Sequence, residues 1–371
     1  MAGKGRSPKG GKKPSWQRFL REWGIYLLIG AAIVAVFLFL GRGGGKASLV
    51  TVAPYRVYFT QGELGHPRPA GLEAEIIADI AAASRGVELA TPGLDLPQLA
   101  EALIAARARG VTVQVVEDLS RQEDPAVQEV AARLQESGIP VLWRSRLGES
   151  FLVIDARIAW VGSWDLSRRG LEEDAGLVLR CELVPLAADF HAEFTEMVLE
   201  AFAGGFLRLP TVVKTPYPYL AIPDGPSLSV YRTPEDAALS GVLQALARAQ
   251  DEILVLGELN DSRLGERLLA EASRSTMLTV WAVLDEGGSD PNLLRGLAER
   301  KVNLGLYTGP GRMYENVLVV DGQNVAIFSQ PMAQEAYDRN DGYVLLVRDR
   351  ELGQLLQREL ARLYAGAKKA E

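Results

Sequence analysis

Residues 148–165 read GESFLVIDARIAWVGSWD. An apolar run, FLVI, leads into Asp155, and a second run, IAWV, leads into Gly162 and Ser163. Two short apolar runs around a polar reversal predict two strands joined by a turn. The cadence returns at 314–331 as YENVLVVDGQNVAIFSQP, with Asp321 at the reversal and Ser329 at the end of the second run. A unit written twice in one chain implies a duplicated fold.

Working outward, helical and strand patterns alternate on both sides of each copy. Leu72, Ile76, Ile77 and Ile80 recur at helical spacing and predict a helix over 72–84. GVELA, VTVQVVED and IPVLW predict strands, separated by helices over 97–109 and 125–137 that close on Gly110 and Gly138. AGLVLR predicts a strand and 186–202 a helix. A proline-rich connector at 209–227 follows. Thr233-Pro234 then predicts a capped helix start, with proline at the first helical position. DEILVLGEL, TMLTVWAVLDE, VNLGLYTG and RNDGYVLLVRD predict strands, and 264–275, 291–301 and 350–365 predict helices. The two units register at Val57-Tyr58 with Val230-Tyr231, Asp155 with Asp321, and Asp174 with Asp341. Strands alternating with helices predict α/β layers, here domains at 53–208 and 228–371 that meet by pseudo-twofold symmetry.

The chain of 371 residues is long enough for two cores. Its N-terminus differs from the rest. Residues 25–40 carry no charge, and with Trp23, Gly24 and Gly41 they approach the roughly 20 apolar residues of a membrane span. A basic tail (1–22) precedes this span (23–41), and a glycine-rich tether (42–52) follows it. The positive-inside rule places the tail in the cytoplasm and the body outside, at the cell envelope. A signal peptide cut near Gly45 and Ala47 is the other reading of the same segment. Residues 1–46 hold nine basic residues and one acidic; of the 40 basic and 47 acidic residues in all, 31 and 46 remain, so the body carries −15. Such a body lacks the electrostatic footprint of a nucleic-acid binder. One cysteine, Cys181, excludes an internal disulfide framework, and two histidines, His66 and His191, leave no metal-ligand spacing.

Across roughly 55–365 the chain resembles the phospholipase D superfamily, whose halves each carry His-x-Lys, a strand into Asp, and a strand into Gly-Ser-x-Asn. The resemblance implies two tandem phospholipase-D-like α/β/α sandwich domains, which here follow the one N-terminal transmembrane helix expected from the apolar run at 23–41. It also implies a histidine nucleophile, a histidine general acid and a lysine clamp on the phosphoryl oxygens. Aligned on FLVID, those positions hold Gly148, Ser150, Asp155, Ser163 and Asp165. Aligned on VLVVD, they hold Tyr314, Asn316, Asp321 and Ser329. Gly148 cannot attack phosphorus, Ser150 and Asn316 carry no charge, and Tyr314 is a phenol with an ordinary pKa near about 10. Glu149 and Glu315 would repel phosphate if they faced the site, but strand alternation predicts that they face away. Asp155 and Asp321 fit turn chemistry, and Asp174 and Asp341 fit turns or strand starts.

The expectation is therefore a membrane-anchored, non-catalytic binding or scaffold module, without cofactor or metal. Its partners would be the membrane, a phospholipid headgroup or an envelope protein, and no nucleic acid. The alternative is a divergent phospholipase or phosphodiesterase acting on membrane phospholipids and using Tyr314, His66 from the loop GELGHPRPAG, or a metal not visible in the sequence.

Overall fold

A computed structural model describes residues 54–61, 71–202, 215–274, 277–300 and 302–369. The basic tail, the span, the tether, His66 and part of the connector lie outside the described residues. Among the described residues no helix is long and apolar enough to cross a membrane. Residues 53–371 form one compact unit.

The first half contains β1 (Tyr55–Phe59), α1 (Gly71–Ala82), β2 (Gly86–Thr91), α2 (Pro97–Ala108), β3 (Thr112–Asp118), α3 (Pro125–Glu136), β4 (Val141–Arg144), β5 (Phe151–Ile154), β6 (Ile158–Ser163), α4 (Arg168–Glu172), β7 (Leu177–Cys181) and α5 (Val184–Phe202). Its strands order β1-β7-β6-β5-β2-β3-β4. The β2, β3 and β4 strands run parallel, joined by helical crossovers, while β5, β6, β7 and β1 pair antiparallel.

The second half contains β8 (Tyr219–Ala221), β9 (Ser227–Thr233), α6 (Ala238–Ala247), β10 (Glu252–Gly257), β11 (Leu259–Asn260), α7 (Ser262–Arg274), β12 (Thr279–Leu284), α8 (Pro291–Glu299), β13 (Asn303–Leu306), β14 (Val317–Val320), β15 (Asn324–Phe328), β16 (Met332–Ala333), α9 (Gln334–Arg339), β17 (Gly342–Arg348), α10 (Arg350–Gly366) and β18 (Lys368–Lys369). Its sheet repeats the first order as β9-β17-β15-β14-β10-β12-β13, with β8 and β18 added at the edges. The duplication read from the two Asp-containing stretches thus covers every main strand.

Alternation along each strand divides the core. Leu89, Val113, Leu152 and Ile154 face one way and pack against Ile76, Ile80, Leu99 and Leu103 of α1 and α2. Phe151, Val153 and Val161 face the other way, with Phe190 and Phe194 of α5. The same cluster takes in Leu254, Val319 and Leu345 of the second sheet and Leu356 of α10. One apolar core therefore runs through both halves, between the two sheets and their closing helices. Aspartate caps fix several helix starts: Asp124 accepts from Ala126 N, Asp290 from Asn292 N, and Asp349 from Glu351 N.

Three expectations need correction. Thr233-Pro234 starts no helix: Thr233 is the last residue of β9, paired with Gly342, and the Thr233-Pro234 bond is cis. The Thr233 hydroxyl donates to Asn340 O, so it caps no helix, and α6 begins only at Ala238. The pairing of Asp174 with Asp341 is one residue out of register. Leu147 bridges Asp341 and Met313 bridges Ala175, so Asp341 corresponds to Ala175 and Asp174 to Asn340. The connector at 209–227 is not wholly a linker either, since Tyr219–Ala221 pairs with β9 as an edge strand.

Candidate functional site

Asp155 and Asp321 each sit in the turn after a motif strand, with φ of 55° and 51°. Asp155 accepts from the N–H groups of Ser84, Arg85 and Gly86, and Asp321 accepts from those of Gln250, Asp251 and Glu252. Burial opposes ionisation of Asp155, but these donors outweigh it and hold its carboxyl below the usual range. Both aspartates thus anchor the loop between a helix and the next strand. Neither is free to bind a ligand with those oxygens.

The positions before the strands form the half-sites. Gly148 donates its N–H to Asp341 O at 3.0 Å. A Cβ there would overlap Oε1 of Gln330 and lie 3.1 Å from its Cδ. A Cβ on Gly342 would overlap Nε2 of the same side chain. Gln330 is 2 % exposed, and its amide donates to Ala336 O at 2.9 Å and Thr233 Oγ1 at 3.1 Å. One glutamine from the second half therefore fills the space beside the residue aligned with a histidine. Ser150 is also buried: its Oγ accepts from Leu166 N and lies 3.2 Å from Thr91 Oγ1.

The second half-site is closed by different groups. Ser163 Oγ donates to Tyr314 O at 2.7 Å and accepts from Asn316 N at 2.9 Å. Asn316 Oδ1 accepts from Glu258 N at 2.9 Å. Ser163, Asn316 and Ser329 are each 0 % exposed, and Ser329 Oγ accepts from Tyr343 N. Tyr314 is 8 % exposed, with the Arg312 guanidinium 5.3 Å from its ring centroid. Burial and the Asp165 carboxylate raise the phenol above its ordinary value, and Arg312 only partly offsets them. Arg312 is held by Glu258 through bonds of 2.7 and 2.9 Å, and its own N–H donates to Asp174 Oδ1. Burial pushes Asp165 up to about 6; one of its oxygens accepts from Ser167 Oγ, and Oδ1 has no hydrogen-bond partner among the described residues.

Glu149 and Glu315 are turned away from the half-sites, in keeping with strand alternation. Glu149 lies 3.7 Å from Arg232, and Glu315 faces the charges of Glu359 and Arg362. Burial raises both carboxyls well above their usual range. The buried cations of this layer are committed as well: Arg144 pairs with Glu200 and Asp341, and Arg232 lies 3.5 Å from Glu193 with its guanidinium 4.2 Å from the Phe190 centroid. His191 is a half-buried boundary residue of α5, its Nδ1 2.8 Å from Glu88.

The structure thus brings Gly148, Ser150, Ser163, Asp165, Tyr314, Asn316 and Ser329 to the junction of the halves, and leaves Asp155 and Asp321 at the far ends of their strands. The described part of this junction holds no lysine or histidine with which to bind or attack a phosphodiester. Among the described residues no three His, Cys, Asp or Glu side chains could hold a metal. Cavities of about 880 and 370 Å³ open elsewhere, beside α8 and α6. Gln330, Arg312, Asp118 and Asp285 were missed from sequence. Asp118 ends β3 and Asp285 follows its counterpart β12, and they accept from Leu147 N and Met313 N, a symmetry that the repeated VED and LDE signals.

A family model described as "Cardiolipin synthase, PLD-like domain" matches residues 76–198. No curated protein matches the chain by sequence. Among solved structures it is similar to phosphatidylserine synthase from Haemophilus influenzae Rd KW20, with TM-score 0.62 and 11 % identity over 85 % of this chain and 87 % of that one. It is also similar to polyphosphate kinase from Porphyromonas gingivalis, with TM-score 0.58 and 11 % identity over 83 % of this chain. The chain spans only 46 % of that kinase. At such identities the likeness establishes the fold.

Proposed function

From the premise that the chain belongs to the phospholipase D superfamily, we propose that it is a non-catalytic member, a binding or scaffold module held at the cell envelope by the apolar segment 23–41. The observation that carries this reading is the Gln330 amide wedged between Gly148 and Gly342. A phosphoryl group needs a nucleophile and positive charge at the point where its oxygens sit. The first half-site offers a glutamine in that volume, and the second offers a buried phenol whose nearby guanidinium already serves Glu258. The basic flank before the apolar segment supports a cytoplasmic N-terminus and an external body, whose partners are a phospholipid headgroup or an envelope protein.

The test is hydrolysis of bis(p-nitrophenyl) phosphate and of phosphatidylglycerol vesicles by the purified protein. No turnover above buffer is expected, and turnover lost on Tyr314→Phe would overturn the reading. A second reading, a divergent phosphodiesterase, rests on Asp165, whose carboxyl is raised to about 6 near Tyr314. It requires that Asp165→Asn abolish a measurable activity while leaving the fold intact.

A further inference from the structure

The duplication lets each half serve as a control for the other, and one buried acid departs from the symmetry. Phe151 pairs with Ala90 and Val317 with Leu256, so the residues that follow in β2 and β10, Thr91 and Gly257, are equivalent. Across the next parallel step Thr91 pairs with Glu117 of β3, and Gly257 with Leu284 of β12. Leu284 is a fully buried member of the second half's apolar cluster. The same lattice point in the first half holds a glutamate, and it too is 0 % exposed. Among the described residues neither of its carboxyl oxygens has a hydrogen-bond partner.

Strand alternation puts Glu117 on the face of Val113 and Val115, toward the outer helices, while Asp118 turns to the opposite face. Thr91 and Trp143 flank it on β2 and β4. The loop 92–96 lies over this end of the strand and packs tightly: a Cβ on Gly93 would stand 3.1 Å from Val127 of α3 and 3.2 Å from Arg121. The charges that reach Glu117 are Arg121, in the 3-10 turn Leu119–Arg121, and Asp95 of the loop. Arg121 is paired with Asp124 at 2.8 Å, and Asp95 accepts from Arg168 N at 2.6 Å. Burial outweighs the pull of the Leu94 N–H and of Arg121, and pushes the Glu117 carboxyl up to about 8.

A buried carboxyl without partners costs stability, and Leu284 shows that an apolar side chain fits the same place. What distinguishes Glu117 is the wall it belongs to. Its neighbour Thr91 has Oγ1 3.2 Å from Ser150 Oγ. Asp118 N donates to Pro92 O, and Asp118 Oδ2 accepts at 2.6 Å from Leu147 N, just before Gly148. We propose that Glu117 is a proton-held latch: its neutral carboxyl keeps loop 92–96 and turn 119–121 closed over the outer wall of the first half-site, and its ionisation lifts them. The closed form is fully stabilised below the ordinary carboxyl value of about 4.3, and that stabilisation is lost as pH rises through about 8. The latch stands whether or not the junction is catalytic.

The test is amide hydrogen exchange of the full chain, corrected for intrinsic exchange rates. Protection of the Ser120 and Leu147 amides, both held by Asp118, should fall about tenfold per pH unit between about pH 6.5 and 8. That window lies above the titration of Asp165, which is raised only to about 6. The Met313 amide, held by Asp285 at the equivalent place in the second half, should keep its protection. Glu117→Leu and Glu117→Gln should each make protection at Leu147 independent of pH. The glutamine keeps the shape of the side chain, so it decides the matter even if the leucine variant does not fold. Protection at Leu147 that does not change with pH overturns the latch, as does a fall that survives Glu117→Gln or one matched at Met313.

Discussion

Replacing Gly148 by alanine tests whether the first half-site is closed by Gln330. The added methyl overlaps the Gln330 amide, which cannot retreat toward Gly342 because its other end is packed there. Either the backbone shifts, at an overpacking cost of about 1–3 kcal/mol, or Gln330 leaves. Departure gives up its bonds to Ala336 O and Thr233 Oγ1, each worth about 0.5–1.5 kcal/mol. Either route predicts a loss of about 2 kcal/mol. The diagnostic is the double-mutant cycle: with Gln330→Gly already present, Gly148→Ala no longer overlaps the amide and meets only the Asp341 carbonyl at 3.2 Å, so it should cost under about 1 kcal/mol, a coupling of at least about 1 kcal/mol. Equilibrium urea unfolding of residues 53–371, which form one compact unit, measures all four corners. Costs that add within about 0.5 kcal/mol would refute the contact.

Three further outcomes are expected. Ser163→Ala removes an acceptor for Asn316 N and a donor to Tyr314 O inside the core, and should cost about 2–3 kcal/mol in the same unfolding experiment. Asp155→Ala unties three backbone N–H groups and should cost about 1.5–3 kcal/mol. Because the folded carboxyl lies below its ordinary value, this stabilisation is present above about pH 3.9 and is lost as pH falls through the folded value, so the variant should show a flatter acid limb. The hydrogen bond to Glu88 raises His191 above its usual value despite burial. Its contribution is complete below about pH 6.5 and fades as pH rises through the higher folded value, and His191→Gln should erase that drift in melting temperature between pH 6 and 9.

The two sheets were legible because each strand's apolar run is local and repeated, so one half corroborates the other. The turn role of Asp155 and Asp321 was legible for the same reason: a residue between two strands has little else to do. The Gln330 plug was not legible, because it depends on Gly148, Thr233 and Gly342 converging from three distant segments. Thr233-Pro234 misled because a local capping pattern lost to strand pairing with Gly342. Locally, threonine before proline is good helix-start chemistry. Arg312 carried a signal that was passed over: a cation two residues before Tyr314, in the glycine-flanked loop GPGRM. Its bond to Glu258, which consumes that charge, is visible only in three dimensions.

The most direct measurement of catalytic silence is single-turnover chemistry with the purified full chain and a phosphodiester bearing a good leaving group, run beside Tyr314→Phe and Asp165→Asn. A filled first half-site and a committed Arg312 predict no burst of leaving group and no covalent phosphoryl-protein in any of the three. A stoichiometric burst in the unaltered chain that disappears in either variant would contradict it.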